Sequence, residues 1–254
     1  MDPKLLSAIG AAGAAGGSVI GVEDVFKTYL YDGNNTARSI NTGVDMSDGG
    51  MVWVKGRGAQ THALFDSERG ATKWLSSQTD MAEATDSDSL TSFNNNGFSL
   101  GTGYTSADVN GNNSNQTYVS WSFKKQKKFF TCISYSGNST ARTIAHDLDS
   151  VPGFIAVKKL NSSGNWVCQH RSTGTKEGIL NETGAFYSTH SVARWNDTLP
   201  TSSVFSVGTS DDTNGTGDNY IAYLWAHEEA EFGPNSDQKI ISCGSYSGTG
   251  SAGI

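Results

Sequence analysis

Apolar residues recur at alternate positions in short runs along most of the chain. In residues 97–101, "GFSLG", Phe98 and Leu100 alternate with Ser99. A period of two residues is typical of a β-strand with one buried face. The run "NYIAYLW" at 219–225 is apolar on both faces, which predicts a strand that is covered on both sides. Long runs with a helical period are scarce, so we expect an all-β fold.

A third strand is predicted at 117–123, "TYVSWSF". Its side chains divide between two faces, with Val119, Trp121 and Phe123 on one and Tyr118, Ser120 and Ser122 on the other. The stretch 69–78, "RGATKWLSSQ", is compatible with a helical turn or a further strand.

The predicted strands occur twice in the same order. "YDGNNTAR" at 31–38 returns as "YSGNSTAR" at 135–142, 104 residues later. Three further pairs of segments keep this order: 51–55 with 154–158, 96–101 with 203–208, and 117–123 with 219–225. Small changes of offset inside Gly- and Asn-rich segments are typical of loop insertions between fixed strands.

The repeat predicts the domain organisation. We expect a short N-terminal arm (1–22), a β-sandwich module at 23–128, a second at 129–236, and the start of a third, incomplete module at 237–254. Units of about 105 residues with many turn signals favour antiparallel, jelly-roll-like sandwiches in tandem.

Charge and cysteine content argue against nucleic-acid binding and against a disulfide framework. The 254 residues carry a formal net charge of −7, which lacks the basic excess of a nucleic-acid binder. The one basic run, "KKQKK" at 124–128, lies where the two copies meet and is interpreted as a linker or seam. Cys132 and Cys243 hold the same place in their copies, as small strand residues, and we expect no disulfide framework.

The first 22 residues differ from the rest of the chain. Glycines interrupt their apolar stretch, which is too short to span a bilayer, so no membrane insertion is expected. We expect an arm whose Leu5, Leu6 and Ile9 bury against a partner; a secretory signal and a disordered terminus are the alternatives.

Residues that could carry chemistry are few. "GFSLG" matches the G-x-S-x-G of hydrolases, but its alternation favours a strand over a nucleophile turn. No pair of carboxylates is tied across a cleft, so we predict no catalytic residue, no cofactor and no enzyme. Arg69 and Arg171 hold similar places in the two copies and suggest a structural ion pair or loop anchor.

Both copies carry the sequence D-x-N-G, as Asp108 with Asn110 and as Asp212 with Asn214. Asn-Gly is a strong hairpin signal, which is the preferred interpretation. Alternating oxygen ligands followed by Gly also resemble half of a calcium loop, so these four residues are weak calcium candidates.

Segments 52–101, 115–125 and 135–159 together resemble the repeated modules of tail fibre proteins from marine short-tailed bacteriophages. "MDPKLLSAIGAAGAAGG" at 1–17 is similar to the N-termini of these fibres. The resemblance implies a virion structural protein, made in the host cytoplasm and located in the tail. It further implies an N-terminal arm bound to the tail adaptor and nozzle proteins, a homotrimer, and distal regions that contact a host-surface glycan or protein.

The alternative is a pair of tandem, lectin-like carbohydrate-binding modules from a secreted enzyme or adhesin. The uncharged Asn/Ser/Thr-rich surface and the aromatic residues Tyr104, Tyr187 and Trp195 are compatible with sugar stacking, although each aromatic residue is also compatible with a core position.

Overall fold

The computed structural model describes residues 19–58, 60–103, 106–111 and 115–249. The first half contributes α1 (Val22–Val25), β1 (Phe26–Asp32), β2 (Arg38–Asn41), β3 (Gly50–Gly56), β4 (His62–Asp66), β5 (Lys73–Ser76), β6 (Ala84–Thr85), β7 (Leu90–Asn94), β8 (Gly97–Leu100) and β9 (Thr117–Lys124).

The second half begins at Phe130. It contributes β10 (Phe130–Ser136), β11 (Arg142–Ala145), β12 (Phe154–Lys159), β13 (Val167–His170), a 3-10 turn (Arg171–Thr173), β14 (Glu177–Ile179), α2 (Ser191–Trp195), β15 (Val204–Val207), α3 (Asp211–Asn214) and β16 (Asn219–Trp225). The short strands β17 (Ala230–Phe232) and β18 (Gln238–Lys239) follow. None of the described helices has the length and apolar character needed to cross a membrane.

The strands pair in the same order in both halves. Sheet 1 has the order β1-β9-β3-β4-β5-β6, and sheet 3 has the corresponding order β10-β16-β12-β13-β14. Sheet 2 (β2-β8-β7) corresponds to sheet 4 (β11-β15). All these pairs are antiparallel. The predicted all-β, antiparallel sandwich class is confirmed, and the stretch at 69–78 contains the strand β5. The jelly-roll assignment stays a prediction.

Two cores lie inside the halves, and a third joins them. The first core lies between sheets 1 and 2 and includes Tyr31, Ile40, Val52, Phe98 and Tyr118. The second core lies between sheets 3 and 4 and includes Ile144, Val157, Trp195, Phe205 and Tyr220. The junction core combines residues of both halves, among them Met51, Leu64, Leu75, Cys132, Trp166 and Tyr223.

The junction core shows how the two predicted modules contact each other. Sheets 1 and 3 each use one face for their own core and the opposite face for the junction core. Burying two apolar faces against each other stabilises their packing by roughly 25 cal/mol per Å² of apolar surface removed from water. The halves are therefore packed layers rather than separate beads, and the boundaries at 23–128 and 129–236 stay a prediction.

The strand at 219–225 behaves as its sequence predicts. In β16, Tyr220, Ala222 and Leu224 enter the second core, and Ile221 and Tyr223 enter the junction core. In β9 the outcome is less intuitive, because Tyr118, Ser120 and Ser122 form the fully buried face. Val119 and Trp121 are only half-buried.

The two ends of the chain are placed only in part. Leu5, Leu6 and Ile9 lie outside the described residues, while the backbone amide of Gly233 donates to the carbonyl of Ile20 at 2.9 Å. At the other end, no strand follows β18 in the described residues, and Tyr246 is 96% exposed, whereas its counterpart Tyr31 is buried. The third module stays a prediction.

Candidate functional site

The repeated phrase forms the same loop in both halves. Tyr31 lies opposite Tyr118, and Tyr135 lies opposite Tyr220, as stacked rings with centroids 5.3 and 5.2 Å apart. The Tyr31 hydroxyl donates to the carbonyl of Val109 at 2.8 Å, which ties the start of the loop to a distant segment. This pairing fixes where the loop leaves the sheet.

A buried asparagine anchors the loop in the first half. The Asn110 Nδ2 donates to the carbonyls of Thr36 and Gly101 at 2.9 and 2.8 Å. Its Oδ1 accepts from Arg38 at 2.9 Å and, more weakly, from the backbone amide of Asn34 at 3.4 Å. The amide group thus has partners for both its donor and its acceptor atoms.

Asn214 plays the same part in the second half. Its Nδ2 donates to the carbonyls of Thr140 and Gly208 at 2.8 and 2.7 Å, and its Oδ1 accepts from the backbone amide of Asn138 at 3.2 Å. Both asparagines are completely buried. The two anchors are therefore structural counterparts.

Glycine is required where these loops approach each other. A Cβ at Gly33 would lie 1.7 Å from the carbonyl oxygen of Gly111, and one at Gly137 would lie 2.1 Å from that of Gly215. No side chain fits at such distances, because real Cβ atoms do not come closer than about 3 Å to such atoms. The Gly residues of both repeated phrases are thus fixed by backbone contact.

The aspartates of the two D-x-N-G motifs have different partners. The Asp108 carboxylate accepts from the Tyr118 hydroxyl at 2.8 Å and from Gln116 at 3.3 Å. Asp212 forms an ion pair with Arg194 at 2.7 Å. Burial, together with the hydrogen bond to Asp108, raises the pKa of Tyr118. The D-x-N-G spacing gave no sign of Arg194, whose role depends on the fold.

The calcium candidates lie apart, with Asp108 and Asn110 in a loop of the first half and Asp212 and Asn214 in α3 of the second half. Within the described ranges, no group of three or more His, Cys, Asp or Glu side chains is close enough to hold a metal ion. The hairpin expected at these motifs is wrong, because β8 and β9 belong to different sheets, as do β15 and β16. Asn-Gly here lies in a connection that runs from one sheet to another.

The serine of "GFSLG" lies in a strand, as predicted. Ser99 belongs to β8. Its hydroxyl lies 3.1 Å from the hydroxyl of Ser39 and accepts a hydrogen bond from the Asn94 Nδ2 at 2.9 Å.

A buried polar cluster crosses the junction. The Tyr223 hydroxyl, from sheet 3, donates to Asp66 at 2.6 Å, and Arg69 pairs with Asp66 at 2.5 Å and with Glu83 at 3.3 Å. Burial raises the pKa of Tyr223 well above its usual value, so the hydroxyl remains a donor. The structural role expected for Arg69 is confirmed. Arg171, in contrast, is exposed in the 3-10 turn.

The basic run at 124–128 lies on the seam between the halves. Lys125 pairs with Glu68 of the first half at 2.9 Å and approaches Asp147 of the second at 3.9 Å. Lys127 lies 3.7 Å from Asp149. The prediction of an inter-unit seam is confirmed for these residues.

Two open cavities flank the junction. The first, the polar cleft, has a volume of about 580 Å³, and Ala82, Tyr135 and Leu160 contribute to its lining. Its other lining residues are Glu68, Arg69, Lys73, Glu83, Ser134, Ser136, Asn161 and Asn219. The first four of these come from the first half and the others from the second. Lys73 and Glu83 pair at 3.1 Å on one wall. On the opposite wall, the Ser136 hydroxyl donates to the Asn219 Oδ1 at 2.8 Å, and the Asn161 Nδ2 donates to the carbonyl of Gly217 at 3.2 Å.

The second cavity, the apolar cleft, has a volume of about 430 Å³. Its walls are mostly aromatic and include Trp53, Phe123, Phe154, Trp166, Tyr223 and Trp225. Residues 241–244 lie along it, and the backbone amide of Cys243 donates to the His227 ring at 3.0 Å.

The described residues that were predicted to stack on sugars, Tyr187 and Trp195, have other contacts in the structure. Trp195 is fully buried in the second core. The Tyr187 hydroxyl accepts from Arg194 at 2.9 Å, and Tyr104 lies outside the described residues. The aromatic surface that the structure does contain, around Trp53 and Trp121, was not singled out from the sequence, since aromatic residues in an alternating strand indicate a core.

These features define a class: an all-β protein of layered antiparallel sheets, built from two corresponding halves that share a core. A family model, described as a domain of unknown function (DUF7483), matches residues 22–253. The chain belongs to the DUF7483 family. No curated protein and no solved structure matches it.

Proposed function

We propose that this chain is a non-enzymatic structural segment of a bacteriophage tail fibre, made in the host cytoplasm and assembled into the virion. In this proposal residues 1–22, with Leu5, Leu6 and Ile9, attach the fibre to the tail adaptor and nozzle proteins. Three copies form the fibre, and regions beyond this segment contact a glycan or protein of the host surface.

The observation that carries the proposal is the use made of the repeated polar residues. The side chains of Asn110 and Asn214 donate hydrogen bonds to backbone carbonyls of corresponding loops. Asp66 and Arg69 are not repeated in this way, and both contact Tyr223 of the other half. Repetition of the same loop anchors in packed units is typical of repeat proteins, in which stacked units form an extended structure. The likeness of segments 52–101 and 135–159 to tail fibre modules agrees with this role.

Antibody labelling of particles tests the location. Antibodies raised against residues 129–254 should decorate the tails of virions that contain this protein, seen by negative-stain electron microscopy. Decoration of the capsid shell, or absence of the protein from purified particles, would overturn the proposal.

The arm is tested by incorporation. Replacing Leu5, Leu6 and Ile9 together by Asp should abolish incorporation of the protein into particles, because charged side chains cannot bury in an apolar contact. Val192→Asp is the matched control, since Val192 is 66% exposed and lies far along the chain in α2. Equal incorporation of both variants would contradict an attachment role for the arm.

The polar cleft favours a second candidate function, carbohydrate binding. Its volume of about 580 Å³ falls in the range of ligand sites, and amide, hydroxyl and carboxylate groups of the kind that hydrogen-bond sugar hydroxyls line both walls. In a glycan array, this candidate predicts binding that Lys73→Ala and Asn161→Ala reduce and that Lys176→Ala leaves intact. Absence of binding to any glycan would reject it.

A further inference from the structure

The outer face of sheet 1 carries apolar side chains along β1 and β9 beyond the area that sheet 3 covers, and Lys55 of β3 and His62 of β4 border them. Along β1 and β9, three opposed pairs point to this side: Phe26 with Phe123, Thr28 with Trp121, and Leu30 with Val119. Phe26 and Phe123 pack against the junction core, which fixes the side to which the alternating residues point. We call the remaining residues, Thr28, Leu30, Val119 and Trp121, the outer patch.

The outer patch is partly exposed although three of its four side chains are apolar. Leu30 is 62% exposed, and Val119 and Trp121 are half-buried. None of the three cores, as described, includes Val119 or Trp121.

The second half shows what covers such a face. Ile221 and Tyr223 are the counterparts of Val119 and Trp121, and both are completely buried. They are buried because sheet 1 packs on them in the junction core. In this chain, therefore, the partner of an apolar outer face is another sheet of the same kind.

The edge of the sheet at this patch is also open. In the described part of the chain, β1 pairs with β9 alone, and its residues 27–30 are all exposed. A seven-residue edge strand with exposed Tyr29 and Leu30 offers unpaired backbone groups beside the apolar patch. The apolar outer patch and the unpaired edge of sheet 1 therefore lie next to each other, at β1.

We propose that the outer patch is the surface on which a second copy of this chain packs. The patch is continuous with the junction core through Phe26, Phe123 and Trp53, so the second copy would extend an interface that already exists within the chain. Sheet-on-sheet packing of this kind places the two sheets about 10 Å apart, with the apolar side chains of both faces interdigitating between them. The inference rests on the proposed multi-chain assembly and names its surface.

Light scattering of the full chain, measured over a series of concentrations, tests the inference. The unaltered chain should associate, and Leu30→Lys should weaken the association at least about tenfold, because the contact would then bury a charge. Thr28→Arg, on the same face and also exposed, should act in the same direction. Val192→Lys is the matched control and should associate like the unaltered chain, because Val192 is a similarly exposed valine outside the patch.

The possible outcomes distinguish the proposed contact surface from the proposed multi-chain assembly. If Leu30→Lys and Thr28→Arg fold normally by circular dichroism and associate like the unaltered chain, the patch is wrong while the assembly stands. If Val192→Lys weakens association equally, the effect is not specific to the patch and the inference fails. A monomeric unaltered chain overturns both the patch and the homotrimer, and it leaves the antibody test of tail location unaffected.

Discussion

At the scale of single residues, the buried amides of Asn110 and Asn214 constrain the fold most. Each holds the loop of its own half through contacts with distant carbonyls. The sequence indicates that Asn-Gly matters, because it recurs 104 residues apart. It does not indicate how, since the same two residues serve hairpins, metal loops and sheet crossings alike.

Replacing either anchor by alanine should destabilise the protein. We expect Asn110→Ala and Asn214→Ala each to lower the free energy of unfolding by about 2–4 kcal/mol. Each change removes the hydrogen bonds of a buried amide, including the one to the buried carbonyl of Gly101 or Gly208. Chemical denaturation measures the loss, with Ser162→Ala on the exposed surface as control. A loss near zero for both variants would show that the amides do not hold the loops.

Lys158 is the least expected residue of the junction. It is completely buried, and its Nζ donates to the carbonyls of Lys159 and Asp80 at 2.9 and 3.2 Å. Burial lowers the pKa of Lys158 to about 8. The unfolded chain therefore binds more protons than the folded chain between about pH 8 and pH 10.5, and the contribution of this group to stability rises with pH in that window.

Lys158→Met should remove this dependence. At about pH 7 the variant should be about 1–2 kcal/mol more stable than the unaltered chain, because no charged amine is buried, and at about pH 9.5 the advantage should shrink. The Asp80 carbonyl keeps the backbone amide of Gly164 as a donor, at 2.9 Å. Denaturation at both pH values, with the exposed Lys176→Met as control, measures the difference. An advantage that is independent of pH would contradict the assignment.

At the scale of elements, the alternation of apolar residues predicted strands well and their surroundings less well. The apolar character of both faces of β16 correctly indicated a strand covered on both sides. In β9, the residues with the larger apolar side chains, Val119 and Trp121, lie on the more exposed face. Which face is covered depends on how much of sheet 1 overlaps sheet 3, and no local pattern contains that information.

The contact between Tyr223 and Asp66 joins elements of the two halves and can be tested directly. Tyr223→Phe should lower the free energy of unfolding by about 1.5–3 kcal/mol, since it removes a hydrogen bond to a buried carboxylate. Tyr246→Phe is the matched control because Tyr246 is 96% exposed. Chemical denaturation measures both variants, and an equal effect of the two would show that the cluster adds nothing to the junction.

At the scale of the whole molecule, the repeat in the sequence corresponds to a repeat of strand order, register and loop anchors. What the repeat could not predict is the junction core, because separate beads and packed layers require the same apolar strands. The alignment of "YDGNNTAR" with "YSGNSTAR" relates the halves to each other but does not say which of their faces meet.

Differential scanning calorimetry tests most directly whether the two halves form one packed unit. Because Met51, Leu64 and Leu75 of the first half share a core with Cys132 and Tyr223 of the second, loss of either half exposes the other. We expect one transition, with a calorimetric enthalpy equal to the van't Hoff enthalpy. Two separate transitions, reproduced by isolated fragments 23–128 and 129–254, would contradict the shared core.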